Sequence, residues 1–242
     1  MPTKNCFLLT TSYRDLDGRL EITLHAATEE GRPLVAVIDN FRPAFFVPRE
    51  TPPEATQGCA ERKALPLRTM DGRDVDCLYF ATQAAARDTA ERLRQAGVRT
   101  YEADVSPVLR YLMERQVRGG FVCEGAIAER GGRYTVRNPQ IRGGPADVRL
   151  RVLSLDIETN AATGEIYSIA CSGAAEQVFL RGTIESRRSL TVCPDERALL
   201  RAFLRHVTAQ DPDILIGWNV RACTSTASRS PIRATARHCL RP

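Results

Sequence analysis

The sequence predicts an α/β protein, more closely α+β, in which a small mixed domain precedes a second domain built on a mixed sheet. Residues 1 to about 48 alternate apolar and polar positions between turn signals, as strands do. Two helical patterns follow, one rich in alanine and one rich in leucine. A Gly-Gly-Pro segment at 143–145 marks the best linker, and 242 residues are enough for two domains.

The first domain, assigned to residues 1–144, begins as a set of strands. Asp17 and Gly18 predict a hairpin turn before the alternating strand 20–26. A helix is predicted for residues 82–95, closed by Gly97. A second short helix is predicted at 108–115, with its apolar face formed by the following residues: Leu109, Leu112 and Met113.

The most informative strand opens the second domain, at residues 148–159, because apolar residues fill it and no Gly or Pro interrupts it. Side chains alternate along a strand, so Leu153, Leu155 and Ile157 are predicted to share one face. Asp156 and Glu158 then project together from the other face. Two neighbouring carboxylates repel one another unless a cation lies between them, and such hard oxygen ligands suit Mg²⁺ or Mn²⁺.

The rest of the second domain is predicted as an antiparallel meander, a helix and a returning strand. The meander uses 165–171 and 177–180, and an apolar helix face runs from Leu199 to Val207. His206 is expected to be solvated on the polar side of that helix. The last strand, at 214–220, is expected beside the strand that carries the carboxylates, in a mixed sheet.

Composition narrows the possible functions. No apolar run approaches the length of about 20 residues that spans a bilayer, so we expect a cytoplasmic protein without a membrane partner. The eight cysteines form no C-x-x-C pair, which argues against a zinc site and favours reduced, buried thiols. The net charge of +5 comes from five arginines in residues 221–242, and 29 basic residues balance 29 acidic ones in the remainder.

Three segments together resemble the family-B DNA polymerases. The strand ends Leu-Asp-Ile-Glu-Thr at 155–159, and residues 211–219 read Asp-Pro-Asp-Ile-Leu-Ile-Gly-Trp-Asn, which are similar to the first and second exonuclease motifs. Residues 101–105 and 110–115 resemble the amino-terminal domain of the bacterial DNA polymerase II type. The resemblance covers roughly residues 1–220.

The resemblance implies a 3′→5′ proofreading exonuclease on an RNase H-like fold. Asp156 and Glu158 would be catalytic residues that hold two divalent ions, Mg²⁺ or Mn²⁺, about 4 Å apart. Asn219 would bind the DNA strand beside them, although a strand-end cap is an equally good interpretation. The implied partners are primer-template DNA and its single-stranded 3′ end, with a sliding clamp only for the polymerase parent, and the implied state is a monomer.

The chain departs from the family pattern after Asn219. The family continues to a Phe-Asp pair that adds a carboxylate, whereas residues 221–242 contain no Asp or Glu. The third exonuclease motif and the polymerase region are also missing. We therefore expect a fragment, with residues 145–220 as the first part of the exonuclease domain and 221–242 as a disordered, frameshifted tail. This chain should be inactive.

Two other functions stay open. A free-standing nucleic-acid-binding module could use the basic tail, in which case binding would weaken steeply with salt and depend on residues 221–242. An RNase H-like nuclease outside the polymerases could obtain its missing carboxylate from elsewhere.

Overall fold

The computed structural model describes residues 1–217, which form two compact units, one of residues 1–149 and one that begins at Leu150. No helix in the range 1–217 is both long and apolar enough to cross a membrane. The cysteines of this range are free, and most are buried, as expected: Cys6, Cys59, Cys77, Cys123, Cys171 and Cys193.

The first unit contains two sheets and two helices. Its strands are β1 (Thr3–Leu16), β2 (Arg19–Thr28), β3 (Pro33–Ile38), β4 (Ala44–Pro48), β5 (Glu61–Arg68), β6 (Asp74–Tyr79), β7 (Gly120–Glu124), β8 (Ala128–Arg130), β9 (Arg133–Arg137) and β10 (Gln140–Gly143). Its helices are α1 (Gln83–Gln95) and α2 (Pro107–Glu114). The larger sheet has the order β10-β7-β1-β2-β3-β9-β8, and the smaller has the order β4-β6-β5.

The hairpin of β1 and β2 turns where the sequence predicted. Asp17 and Gly18 both have positive φ, 51° and 74°, and Leu16 pairs with Arg19 across the two-residue loop. Two consecutive residues with positive φ give a turn whose twist matches that of the strands. β1 runs for 14 residues, from Thr3 to Leu16.

Helix α1 confirms its predicted range. The Thr82 hydroxyl accepts the N–H of Ala85 at 3.2 Å. The Asp15 carboxylate, at the end of β1, accepts the N–H groups of Gln83 at 2.8 Å and Ala84 at 2.9 Å. Three otherwise unpaired helix donors are thus satisfied, and the negative charge lies at the favourable end of the helix dipole.

Of the predicted apolar face of α2, Leu112 does pack against the core of the larger sheet, but the other two residues do not. Val108 and Tyr111 are buried in the core of the larger sheet, whereas Leu109 and Met113 are 50% and 57% exposed. The large Tyr111 ring and Val108 are three residues apart, so they define the buried stripe together. A face chosen from leucine and methionine alone missed the contribution of the aromatic ring.

The second unit forms a mixed sheet with one helix on it, as predicted. Its elements within residues 150–217 are β11 (Val152–Thr159), β12 (Ile166–Ser172), β13 (Gln177–Arg181), β14 (Leu190–Cys193), α3 (Glu196–Gln210) and β15 (Ile214–Gly217). Their order in the sheet is β14-β13-β12-β11-β15. The pairs β11–β12 and β12–β13 are antiparallel, while β11–β15 and β13–β14 are parallel. β11 and β15, the first and last strands of this unit, are neighbours as expected. β14 was not predicted.

Helix α3 covers one face of this sheet. Asp195 caps it by accepting the Ala198 N–H at 2.7 Å, and Leu199 is fully buried among strand side chains. His206 was expected to be solvated, but its ring lies 5.6 Å from the ring of Phe179 in an edge-on contact. Residue 206 lies beside Phe203 and Val207 of the apolar face of the helix, so its imidazole can pack on the aromatic ring.

Candidate functional site

The two candidate carboxylates lie on the face of the sheet opposite α3. Leu153 and Leu155 of β11 are buried against α3, while Asp156 and Glu158 are exposed. This alternation is the one that the sequence predicted. The buried leucines fix the direction of the carboxylates, because a slip of one residue would turn every side chain of β11 to the other face.

The parallel strand β15 is anchored beside β11 by a group of ions. The guanidinium of Arg151 contacts Asp211 at 3.0 Å and Asp213 at 3.4 Å, and its backbone N–H donates to Asp213 at 2.8 Å. The hydrogen bond to Asp213 is the largest cause of the raised pKa of Arg151. Asp211 and Asp213 therefore position β15 and lie at the end of the strand pair away from Asp156.

A surface depression of about 290 Å³ adjoins Asp156. Its lining includes Ser154, Ser172, Ser189 and the carboxylate-bearing Glu176. Glu176 could not be singled out from the sequence, because it lies in the β12–β13 turn, 20 residues from Asp156 along the chain. Only the pairing of the strands brings it to the same depression.

The residues present fit part of a divalent-ion site. Asp156 and Glu158 offer hard oxygen donors on one exposed face, which suits Mg²⁺ or Mn²⁺. Within residues 1–217, no three His, Cys, Asp or Glu side chains come together as a ligand group. The described part of the chain therefore supplies two carboxylates toward such a site. Asn219, the predicted DNA contact, lies outside the described residues, as does the tail at 221–242.

A β-bulge lies directly beside Glu158. Glu158 pairs with Ser168, but Thr159 pairs with Ile166, so Tyr167 is an extra residue on β12. The N–H of Ile166 donates to the Glu196 carboxylate of α3 at 3.0 Å. The bulge allows Ile166 and Ile169 both to be buried although they are three residues apart, whereas a regular strand buries every second residue.

Comparison with known proteins agrees with this architecture. Residues 98–222 match the family model described as "DNA polymerase family B, exonuclease domain". The chain belongs to the family-B DNA polymerases. It is 32% identical over 227 residues to DNA polymerase II of Escherichia coli (strain K12), covering 88% of this chain and 28% of that protein.

A solved structure shows the same fold. The family-B DNA polymerase from the hyperthermophilic archaeon Pyrobaculum calidifontis aligns with a TM-score of 0.74 over 97% of this chain and 32% of that one, at 22% identity. The predicted RNase H-like fold of the exonuclease domain is thereby confirmed. The chain spans less than a third of the length of both relatives.

Proposed function

We propose that residues 145–220 form the first part of a 3′→5′ exonuclease domain in which Asp156 and Glu158 are catalytic metal ligands. The observation that carries the proposal is the placement of both carboxylates on the exposed face of β11, beside the parallel strand β15. Residues 1–144 are proposed as the amino-terminal domain of the same polymerase, of the bacterial DNA polymerase II type.

In the proposed reaction, residues of this chain would hold the 3′ end of the DNA close to the two carboxylates. Leu153 and Leu155 anchor β11 on the core, and this fixes the backbone positions from which Asp156 and Glu158 project. Divalent ions bound there would activate water and stabilise the leaving 3′ oxygen. The proposed substrate is the single-stranded 3′ end of primer-template DNA, with Asn219 helping to position it. A sliding clamp is proposed only for the polymerase parent.

The 242-residue chain by itself is proposed to be inactive as a nuclease and as a polymerase. No Asp or Glu follows Asp213, so the second and third exonuclease-motif carboxylates of the family have no counterpart in this sequence. We propose that the chain is a monomer, that it is located in the cytoplasm and that its binding partner is DNA.

A test separates ion binding from catalysis. The purified full chain should bind Mn²⁺, and the binding is measured by the loss of the electron paramagnetic resonance signal of the free ion. The affinity for Mn²⁺ should fall by about tenfold or more in Asp156→Asn and in Glu158→Gln. Glu185→Gln, an exposed residue of the same unit, removes the same charge and should leave binding unchanged.

The same preparation should not shorten single-stranded DNA in Mg²⁺. Shortening that disappears in Asp156→Asn would show that the chain is active and would overturn the proposed inactivity. Equal Mn²⁺ binding by all four proteins would overturn the assignment of the ligands. DNA binding that survives in Asp156→Asn and Glu158→Gln but is lost on removal of residues 221–242 would support the basic-tail module instead.

A further inference from the structure

One aromatic residue on β12, the strand paired with the carboxylate strand β11, stands apart from the others. Tyr167 is 40% exposed, and every other Phe or Tyr among residues 1–217 is buried or half-buried. Exposed aromatic rings are costly to leave in water, and single-stranded nucleic acids bind proteins largely by stacking bases on such rings. Single exposed apolar residues are common on protein surfaces, so the case for Tyr167 depends on what surrounds its ring.

The ring is held in place from several directions. The Asn160 side-chain N–H donates to the Tyr167 hydroxyl at 2.6 Å, and the Arg181 guanidinium lies over the ring, 5.1 Å from its centre. Arg181 is itself paired with Glu165 at 3.4 Å. A ring fixed in this way loses little conformational freedom when a ligand binds, which favours tight contact.

The loop that supplies Asn160 is also well defined. The Asn160 side-chain oxygen accepts the N–H groups of Ala162 at 2.8 Å and Thr163 at 3.2 Å, and the Asn160 N–H donates to the Glu165 carbonyl at 2.8 Å. This closed turn follows β11 directly, one residue after Thr159. It joins the end of the carboxylate strand to the tyrosine.

The bulge places Tyr167 next to the candidate metal ligands. The pairing passes from Glu158–Ser168 to Thr159–Ile166, so the backbone of Tyr167 lies opposite the step from Glu158 to Thr159. Bulges are frequent next to active sites, where they redirect a side chain. The extra residue at this bulge carries an aromatic ring with a guanidinium beside it, a combination that suits a nucleobase attached to a phosphate.

We infer that Tyr167 is a substrate-binding residue that stacks on a base near the 3′ end of single-stranded DNA, with Arg181 supporting the ring and offering positive charge. The inference rests on the proposed exonuclease function and adds a DNA-contacting residue to it. Because stacking does not depend on base identity, this contact would serve every sequence equally. It would help hold a strand end at Asp156 and Glu158.

The first test measures binding of fluorescent oligothymidylate by anisotropy, with the full chain and Ca²⁺ in place of Mg²⁺ so that no cleavage can interfere. Tyr167→Leu should weaken binding about tenfold or more, because base stacking on an aromatic side chain has an effect of this order. Tyr167→Phe keeps the ring and should stay within about threefold of the parent. Ile184→Ala, an exposed apolar residue of the same unit, is the matched control and should not change binding.

The second test uses the unaltered chain, so it does not depend on the folding of a variant. A photoreactive 4-thiothymidine at the 3′ terminus should crosslink to the peptide that contains Tyr167, and the same group at the 5′ terminus should crosslink to it far less. Peptide mapping by mass spectrometry identifies the crosslinked residue.

The outcomes distinguish the inference from the function on which it rests. If the unaltered chain neither binds nor crosslinks to the oligonucleotide, the proposed function fails. If it binds in a way that depends on Asp156, but Tyr167→Leu binds equally well and the 3′ crosslink maps elsewhere, the function stands and the role of Tyr167 is wrong.

Discussion

At the scale of single residues, burial decides which polar groups can react. Asp156, Glu158 and Tyr167 are exposed on β11 and β12, whereas Cys6 and Cys123 lie fully inside the first unit. Burial disfavours the charged form of a thiol, and it raises the pKa of Cys6 to about 12 and that of Cys123 to about 11. The cysteines within residues 1–217 are therefore not equivalent, although their sequence contexts do not separate them.

This difference predicts the order of alkylation. At pH 8 in the folded chain, Cys59, which is only half-buried, should react with iodoacetamide at least about a hundredfold faster than Cys6, since the thiolate is the reactive form and Cys6 is also inaccessible. Peptide mapping over time gives the rate for each residue. Similar rates at the two positions would contradict the burial of Cys6.

The raised pKa of Cys6 also makes the free energy of unfolding depend on pH. The folded state holds the proton of Cys6 more tightly than the unfolded state does, so the stabilisation is present below pH 9 and is lost as the pH rises toward 12. In Cys6→Ala this part of the decline should disappear, and urea unfolding at several pH values measures it. A parallel decline in the variant would assign the effect to other groups.

At the scale of elements, the second unit depends on a strand that is short and held by charge. β15 has four residues, Leu215 and Ile216 are about half exposed, and its pairing with β11 begins at the Arg151–Asp213 contact. A short apolar strand on one side of a sheet has few packing contacts of its own. The ion group at its start therefore helps to fix its position beside β11.

We expect Arg151→Ala to lower the free energy of unfolding of the second unit by about 1 kcal/mol, in the range for multiply hydrogen-bonded surface ion pairs. Arg149→Ala, an exposed arginine two residues earlier, should have an effect of less than about 0.5 kcal/mol. Hydrogen exchange of the β15 amides should increase in Arg151→Ala only. The effect should shrink at high salt, because ions screen the pair.

How far the sequence could predict the elements depended on their burial pattern. Strands with one buried face, such as β11, and helices with capping residues, such as α1 with Thr82, were found because local chemistry defines them. β5 and β14 were missed, since β5 is mostly exposed and carries Pro66, and β14 has only four residues whose burial does not alternate. The bulge at Tyr167 and the depression beside Glu176 arise from strand pairing, which a local pattern does not reveal.

At the scale of the whole molecule, the charge distribution limits how DNA could be held. Outside residues 221–242 the chain has equal numbers of basic and acidic residues, and within 1–217 many arginines are paired with carboxylates, Arg49, Arg62 and Arg151 among them. A neutral body does not attract DNA over long distances. Stacking and ion-mediated contacts near Asp156 would then carry more of the proposed binding than a general positive field.

The two units each contain their own hydrophobic core, which makes their stabilities separable. Leu24 is fully buried in the core of the first unit, and Leu199 is fully buried in the core of the second. Replacing a buried leucine with alanine usually costs about 2–5 kcal/mol, because the lost contacts leave a cavity. The loss should be confined to the unit in which the cavity forms.

Hydrogen exchange with mass spectrometry tests this in the intact chain, because it reports both units in one experiment. Leu199→Ala should increase exchange in β11, β12 and α3 while the amides of β1 and β2 keep their protection, and Leu24→Ala should give the reverse pattern. Each variant is thus the control for the other. If either substitution increased exchange throughout residues 1–217, the two cores would unfold as one cooperative unit, and the carboxylate strand would depend on the first unit for its stability.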